Sequence, residues 1–119
     1  MKGQLAAALT AAILWLLTAC NTERKKECTQ LASLLAPLDE AAPSRASIGR
    51  LKAGNEAQPL DDEPLHEYAN TLKATLEVLS NTLALKEAPS PPDGTDDVIK
   101  AKLKEAKAVR DDVAHYCAD

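Results

Sequence analysis

The sequence predicts an all-α domain, a small antiparallel bundle of three helices with room for a fourth short one, stapled by a disulfide. Two long stretches carry apolar residues at spacings of three and four, which is the period of one helix face. No stretch alternates apolar and polar residues at period two, so no sheet is expected. Two cysteines, Cys28 and Cys117, lie near the two ends of this region.

The first predicted helix begins near Cys28. Its apolar stripe consists of Cys28, Leu31, Leu35 and Leu38. Pro37 is expected to end or kink the helix near Ala36, because proline lacks the amide donor and clashes with the preceding turn. Residues 41–47 are predicted to form a loop. A short helical turn around Ile48 and Leu51 is expected to stop near Gly54, followed by a polar linker over residues 55–63.

The second predicted helix has the clearest start. Asp61, Asp62 and Glu63 precede Pro64, which suits a helix N-terminus with acids near its positive end. The helix is expected to reach about Glu87. Its stripe consists of Leu65, Tyr68, Leu72, Leu76, Leu79 and Leu83. These leucines are expected to be core, with an intermolecular coiled-coil seam as the alternative.

A proline-rich break over residues 89–94 separates this helix from the third. Thr95 or Asp93 is expected to cap the third helix, with Asp96 and Asp97 in its first turn. Its apolar stripe consists of Ile99, Leu103, Ala106, Val109, Val113, Tyr116 and Cys117. One face of this helix is basic, and either a solvated surface with local ion pairs or a contact with anionic headgroups or an acidic partner would explain it.

Composition limits the function classes. The chain of 119 residues has a net charge of -4 and only 3% aromatic residues, which argues against nucleic-acid binding. A core built from leucine, valine, isoleucine and alanine in so short a domain benefits from a staple. The sequence thus favours a small, acidic, cross-linked bundle.

The N-terminal leader is the most specific motif. After Lys2, residues 5–19 are apolar apart from two threonines, which is the length of a signal-peptide core and short for a membrane span. The run ends in Leu17-Thr18-Ala19-Cys20, which resembles the lipobox of bacterial lipoprotein precursors. An uncleaved N-terminal helix with a chance cysteine is the alternative.

The lipobox resemblance implies a processing scheme. Residues 1–19 would be a signal peptide that is removed, and Cys20 would carry a diacylglycerol with a further acyl chain, such as palmitate, on its new amino group. Two or three acyl chains make a permanent anchor. Residues 20–27 would form a lipidated tether and residues 28–119 the helical bundle domain. Asn21, where an Asp would retain such proteins in the inner membrane of some bacteria, favours the outer membrane, facing the periplasm or the cell surface.

With Cys20 lipidated, Cys28 and Cys117 are expected to pair in an oxidising compartment. A loop of about 90 residues would gain up to about 4–5 kcal/mol in the chain-entropy model. Free thiols or a redox pair are the alternatives, although redox pairs usually have close spacing. The segments Glu27-Cys28-Thr29-Gln30-Leu31 and Tyr116-Cys117 also resemble small helical envelope lipoproteins of unassigned function.

Catalytic chemistry has little support in the sequence. His66 and His115 are the only histidines, and no ligand spacing suggests zinc. Ser80 and Ser90 have no neighbouring histidine. Adjacent acid pairs fit caps and solvated faces better than acid–base dyads. We therefore expect no enzyme, no catalytic or metal-binding residues and no cofactor.

The leading hypothesis is a non-catalytic envelope lipoprotein, held on the membrane through Cys20, that acts as a structural or accessory module and binds a protein partner. The alternative is a periplasmic inhibitor or immunity-type factor that blocks an envelope enzyme or toxin. Its contact surface would be acidic, near Asp61–Glu63 or Asp96–Asp97. A third option is a binder of a small apolar ligand between the helices.

Overall fold

The computed structural model describes residues 22–40 and 42–118 of the chain. These residues form helices α1 (22–35), α2 (Arg45–Ala57), α3 (Glu63–Lys86) and α4 (Thr95–Cys117), with a 3₁₀ helix, Ala36–Asp39, after α1. No residue in these two ranges lies in a strand. The predicted all-α class is therefore confirmed, and the optional fourth helix is present as α2. The predicted signal peptide and Cys20 lie outside the described residues.

Helix α3 is the central element of the bundle. It packs against α4 on one side and against α2 on another. The largest fully buried side chains are Leu31, Leu35, Leu38, Ile48, Leu51, Leu65, Leu72, Leu76 and Leu79. Helix α3 supplies four of these nine, so its predicted leucine stripe is the core of this domain. The alternative, that this stripe is an intermolecular seam, is wrong because these leucines are already covered within the chain.

The start of α3 follows the predicted pattern. Asp62 is the N-cap, and its carboxylate accepts a hydrogen bond from the amide of Leu65 at 3.3 Å. Pro64 lies in the first turn, where its missing amide donor costs nothing. The 24 residues of α3 span about 36 Å. The helix therefore carries its first turn and its last turn to opposite ends of the bundle.

The start of α4 differs from the prediction. Gly94 is the N-cap, with a φ of 85°, and no side chain accepts a capping hydrogen bond there. Thr95 instead donates its hydroxyl proton to the carbonyl oxygen of Pro92 at 2.5 Å. A left-handed backbone strongly favours glycine, so the tight turn after the prolines places Gly94 at the position expected for Thr95 or Asp93.

Helix α2 is longer than expected. Ser44 caps it by accepting the amide of Ser47 at 3.1 Å, so the helix begins inside the predicted loop. It also continues through Gly54 to Ala57. A Cβ atom at Gly54 would overlap the side chain of Leu34 on α1. Gly54 therefore permits the close approach of two helices, and the prediction that it ends the helix is wrong.

Helix α1 also starts earlier than predicted. Residues 22–27, expected as a tether, are helical and continue directly into the stripe that begins at Cys28. The predicted end near Ala36 is confirmed, because the α-helix stops at residue 35 and Pro37 lies in the first turn of the 3₁₀ helix. The charged residues near Cys20 thus belong to the rigid bundle.

Candidate functional site

The disulfide between Cys28 and Cys117 closes the bundle at one end. Its sulfur atoms are 2.03 Å apart and its Cα atoms are 5.8 Å apart, within the range of native disulfides. The two cysteines are 89 residues apart in sequence. The predicted staple is confirmed. It joins the second turn of α1 to the last turn of α4.

Glu27, the neighbour of Cys28, is the second component of this end. It is only 5% exposed, which is unusual for a carboxylate. Its two carboxylate oxygens accept the backbone amides of Asp61 and Asp62 at 2.5 and 3.0 Å. These amides precede α3 and have no partner within that helix. Glu27 therefore attaches the start of α1 to the start of α3.

Asp62 and Tyr116 join α3 to α4 at the same end. The phenol of Tyr116 donates to the carboxylate of Asp62 at 2.8 Å. The same Asp62 oxygen caps α3 through Leu65, so one carboxylate serves two helices. Burial raises the pKa of Tyr116 above its ordinary value of 10.0, and the hydrogen bond to Asp62 and its negative charge raise that pKa further. The positive charge of Arg24 acts in the opposite direction.

Two further side chains contact the ring of Tyr116. The guanidinium of Arg24 lies 5.4 Å from the ring centroid, a cation–π distance. The ring of Tyr68 meets it edge to face, with centroids 6.2 Å apart. Arg24 is on α1 and Tyr68 on α3, so this tyrosine contacts both partner helices.

We call Glu27, Cys28, Asp62, Tyr116 and Cys117 the clamp, and the end of the bundle that contains it the clamp end. The start of α1, the start of α3 and the end of α4 all meet there. Each polar group of the clamp is engaged with another part of the clamp or with a helix terminus. The arrangement can fix three helix ends relative to one another. Its α1 residues, Glu27 and Cys28, lie closest to Cys20 in sequence.

The sequence analysis identified the two cysteines of the clamp but not its hydrogen bonds. It did not predict that Glu27 would be buried, or that Asp62 would accept hydrogen bonds from both Leu65 and Tyr116. A signal for Glu27 exists in the sequence. It lies four residues before Leu31, at the continuation of the buried stripe, where a charged residue must have a partner. The partners lie 34 and 35 residues away, and no local pattern identifies them.

The histidines and the acid pairs of α4 lie at the surface. His66 and His115 are exposed on α3 and α4. Among the described residues, no three His, Cys, Asp or Glu side chains are grouped to hold a metal ion. Asp96 pairs with Lys86 on α3 at 3.2 Å. This ion pair joins the last turn of α3 to the first turn of α4.

The basic face of α4 predicted from the sequence consists of Lys100, Lys104, Lys107 and Arg110, of which Arg110 pairs with Asp39 and Asp111. The three lysines form no ion pair with any residue in the described ranges. Together with Leu103 and Ala108 they line an open surface groove of about 520 Å³. Asp111, one helical turn after Lys107, contacts Arg110 at 3.4 Å.

Two further concavities lie at the surface. A groove of about 350 Å³ between α1 and α4 runs from the disulfide to the ion pair of Arg110 with Asp39. A small apolar ligand, the third functional hypothesis from the sequence, would bind in this groove. A second cleft, of about 430 Å³, lies at the α3–α4 turn, and we call it the distal cleft. It is lined by Lys86, Pro91, Pro92, Asp93, Gly94, Thr95, Asp96 and Asp97.

Comparison with known proteins identifies no relative, since no family model, curated protein or solved structure matches this chain. Within residues 22–40 and 42–118, none of the helices combines the length and the hydropathy needed to cross a bilayer.

The first prediction concerns Glu27. We expect Glu27→Gln to lower the free energy of unfolding by about 1–3 kcal/mol, because an amide can accept only one of the two backbone N–H groups and turns its own donor towards the other. Urea denaturation followed by circular dichroism measures this. Glu23→Gln, at an exposed position of the same helix, should change stability by less than about 0.5 kcal/mol. Equal stabilities for the two variants would contradict the assigned role.

The second prediction concerns Tyr116. Its pKa is raised in the folded state, so its stabilising contribution is complete below pH 10 and is lost as the pH rises through the folded-state pKa. Tyr116→Phe should cost about 1 kcal/mol at neutral pH, through the lost hydrogen bond to Asp62.

Tyr116→Phe should also make the free energy of unfolding fall less steeply with rising pH above pH 10. Thermal unfolding between pH 7 and pH 11 compares the variant with the parent. Tyr68→Phe is the control, since Tyr68 donates no hydrogen bond to Asp62. A parallel pH dependence for Tyr116→Phe and the parent would contradict this prediction.

Proposed function

We propose that this chain is a non-catalytic lipoprotein of the bacterial envelope, anchored through lipid on Cys20, that acts as a structural or accessory protein-interaction module. The observation that carries the proposal is the lipobox Leu17-Thr18-Ala19-Cys20 directly ahead of a clamped helix. Helix α1 already includes residue 22, two positions after Cys20. An anchor at Cys20 would therefore hold the bundle by its clamp end, close to the membrane surface.

The clamp supports a mechanical role over a catalytic one. Both carboxylate oxygens of Glu27 accept backbone amides. One carboxylate oxygen of Asp62 accepts a backbone amide and the phenol of Tyr116. A carboxylate held by internal donors in this way is a poor candidate for moving protons to and from a substrate. The clamp instead transmits the position of the anchor to α1, α3 and α4 together. Such a rigid body suits contacts with other envelope proteins.

The proposed membrane is the outer one, with the domain facing the periplasm or the cell surface. Asn21 after the lipidated cysteine supports this, by the sorting rule that applies to Asp at that place in some bacteria. Nucleic acid is not proposed as a partner, because the chain carries a net charge of -4. No cofactor is proposed.

The third prediction tests the anchor. Mass spectrometry of the mature protein should show the loss of residues 1–19 and the mass of a diacylglycerol and a further acyl chain on Cys20. Cys20→Ser should remain an unprocessed, unlipidated precursor, because the modification needs the sulfur atom. Thr18→Ser keeps a small residue in the lipobox and should mature normally. Normal maturation of Cys20→Ser would refute the lipobox interpretation.

Crosslinking in intact cells, with a tagged chain, tests the protein-interaction role. A single stoichiometric partner from the same membrane would support an accessory subunit and name its process. Self-crosslinks alone would support a structural, homo-oligomeric role. Recovery of neither a partner nor a second copy, at an expression level where the anchored form is abundant, would argue against a protein-interaction module.

The alternative proposal is an inhibitor or immunity-type factor, and the distal cleft is the observation that favours it. The cleft lies at the opposite end of α3 from the clamp, about 36 Å away, so an anchored domain would present it outward. Asp93 and Asp97 are exposed there. The other acidic candidate, Asp61–Glu63, is less suitable, because Asp62 is engaged in the clamp.

The fourth prediction tests this alternative. The double variant Asp93→Lys, Asp97→Lys should lose capture of a basic target enzyme at least tenfold and lose its inhibition, while circular dichroism stays unchanged. Asp112→Lys, an exposed acid near the other end of α4, is the matched control and should retain both. Equal capture by the three proteins would exclude the distal cleft as the contact.

A further inference from the structure

A small cleft lies between the end of α2 and the first half of α3. We call it the α2–α3 cleft, and its volume is about 110 Å³. Its floor consists of three buried residues, Asn55, Leu60 and Ala69. Its rim carries polar side chains on both sides. The cleft shares no residue with the clamp or with the distal cleft, so it is a separate feature of the bundle.

Asn55 is the polar residue of this floor, and half of its side-chain amide lacks a partner. The residue is 5% exposed, and its Nδ2 donates to the backbone carbonyl oxygen of Ala69 at 2.9 Å. Among the described residues, Asn55 Oδ1 is the only buried side-chain polar atom without a hydrogen-bond partner. Exchanging the two amide atoms would set Oδ1 against the oxygen of Ala69, so the Ala69 bond fixes this orientation. A buried acceptor without a donor is costly, which indicates that a donor from outside these residues completes it.

The rim of the cleft on α3 consists of His66, Asn70 and Lys73. Their intervals of four and three residues place them on one edge of the helix. All three are exposed, and none of their side chains forms a hydrogen bond or an ion pair with another residue in the described ranges. This rim therefore offers one positive charge and two further polar groups to a ligand.

The opposite rim consists of Glu56 and Gln58, at the end of α2. The Glu56 carboxylate has one ion pair, with Lys52 at 3.8 Å, a long distance that leaves most of its acceptor capacity free. Gln58 donates through Nε2 to Gln30 at 2.8 Å, which leaves its own Oε1 as an acceptor. The α2 rim thus carries a negative charge and acceptors, whereas the α3 rim carries a positive charge.

We propose that the α2–α3 cleft binds a small zwitterion, a free α-amino acid. An ammonium group has three donors and no acceptor, so it matches a floor that lacks only a donor. It would donate to Asn55 Oδ1 and to the carboxylate of Glu56. The carboxylate of the amino acid would accept from Lys73 in a charge-assisted hydrogen bond. The volume equals that of about four water molecules, which limits the ligand to the size of glycine or alanine.

The other simple ligands leave one part of the cleft without a partner. A simple anion such as acetate would satisfy Lys73 and leave Asn55 without a donor. A simple amine would satisfy Asn55 and leave Lys73 without an anion. Water can donate to Asn55 and is the competing occupant. The proposal goes beyond the lipoprotein function and does not depend on lipid at Cys20, because every residue it uses lies in α2, α3 or the segment between them.

The fifth prediction tests the site by NMR titration of the protein purified from cells, in detergent micelles where the purified form carries lipid. Glycine and alanine should shift the side-chain amide signals of Asn55 and the backbone amide signals of residues 66–73, and the shifts should saturate. The expected dissociation constants are millimolar, because so small a ligand makes few contacts. No saturable shift at tens of millimolar amino acid would mean that the cleft holds water only, and would overturn the proposal.

Two analogues test the two charged ends of the ligand separately. N-acetylglycine keeps the carboxylate and lacks the ammonium group, whereas glycinamide keeps the ammonium group and lacks the carboxylate. Each should bind at least tenfold more weakly than glycine, because each leaves one side of the cleft without its partner. Binding of either analogue as tight as that of glycine would overturn the recognition of a zwitterion.

Two substitutions test the assigned contacts. Lys73→Met should weaken glycine binding at least fivefold and leave circular dichroism unchanged, because Lys73 is exposed. Lys100→Met removes the same charge from an exposed, unpaired lysine of α4 and should bind glycine as the parent does. Asn55→Leu removes the acceptor in the floor and should weaken binding at least tenfold. Equal glycine binding by the Lys73→Met and Lys100→Met variants would overturn the site, whatever the stability of the Asn55→Leu variant.

Discussion

The clamp is the constraint on which the rest of this domain depends. The disulfide alone joins α1 to α4, and Glu27 and Asp62 extend the connection to α3. Three helix ends are therefore fixed at one point, with the leucine core beginning immediately behind it. A buried carboxylate is costly unless donors surround it, and here the donors are amides at a helix start that need an acceptor in any case. One interaction satisfies both requirements.

The sequence predicts best those elements that are determined by residues within one or two helical turns. The leucine period of α3 and the acids and Pro64 ahead of it define a helix almost to the residue, because they act within one or two turns. Cys28 and Cys117 were identifiable as a pair by elimination, once Cys20 was assigned to lipid. The all-α class followed from the period alone. Each of these inferences required no knowledge of how the helices pack.

The errors arise where a distant contact decides a local conformation. Gly54 resembles a helix stop in the sequence, yet Leu34 of α1 occupies the space that a side chain would need, so the glycine serves packing and the helix continues. Residues 22–27 look like a solvated tether, yet the amides of Asp61 and Asp62 hold Glu27 inside the bundle. At the start of α4, the backbone turn after the prolines required a positive φ at Gly94, which overrode the usual capping residues.

The two cysteines of the disulfide are far apart in sequence, so the disulfide can form only after almost the whole domain has been synthesised. A chain that emerges from its N-terminus presents Cys28 first, and 89 further residues must follow before its partner arrives. During that interval Cys28 is an unpaired thiol. Closure is thus a late event that joins the two extremes of the fold. A free thiol at Cys28 would consequently label molecules whose folding is unfinished, and its disappearance would report that the whole domain has assembled.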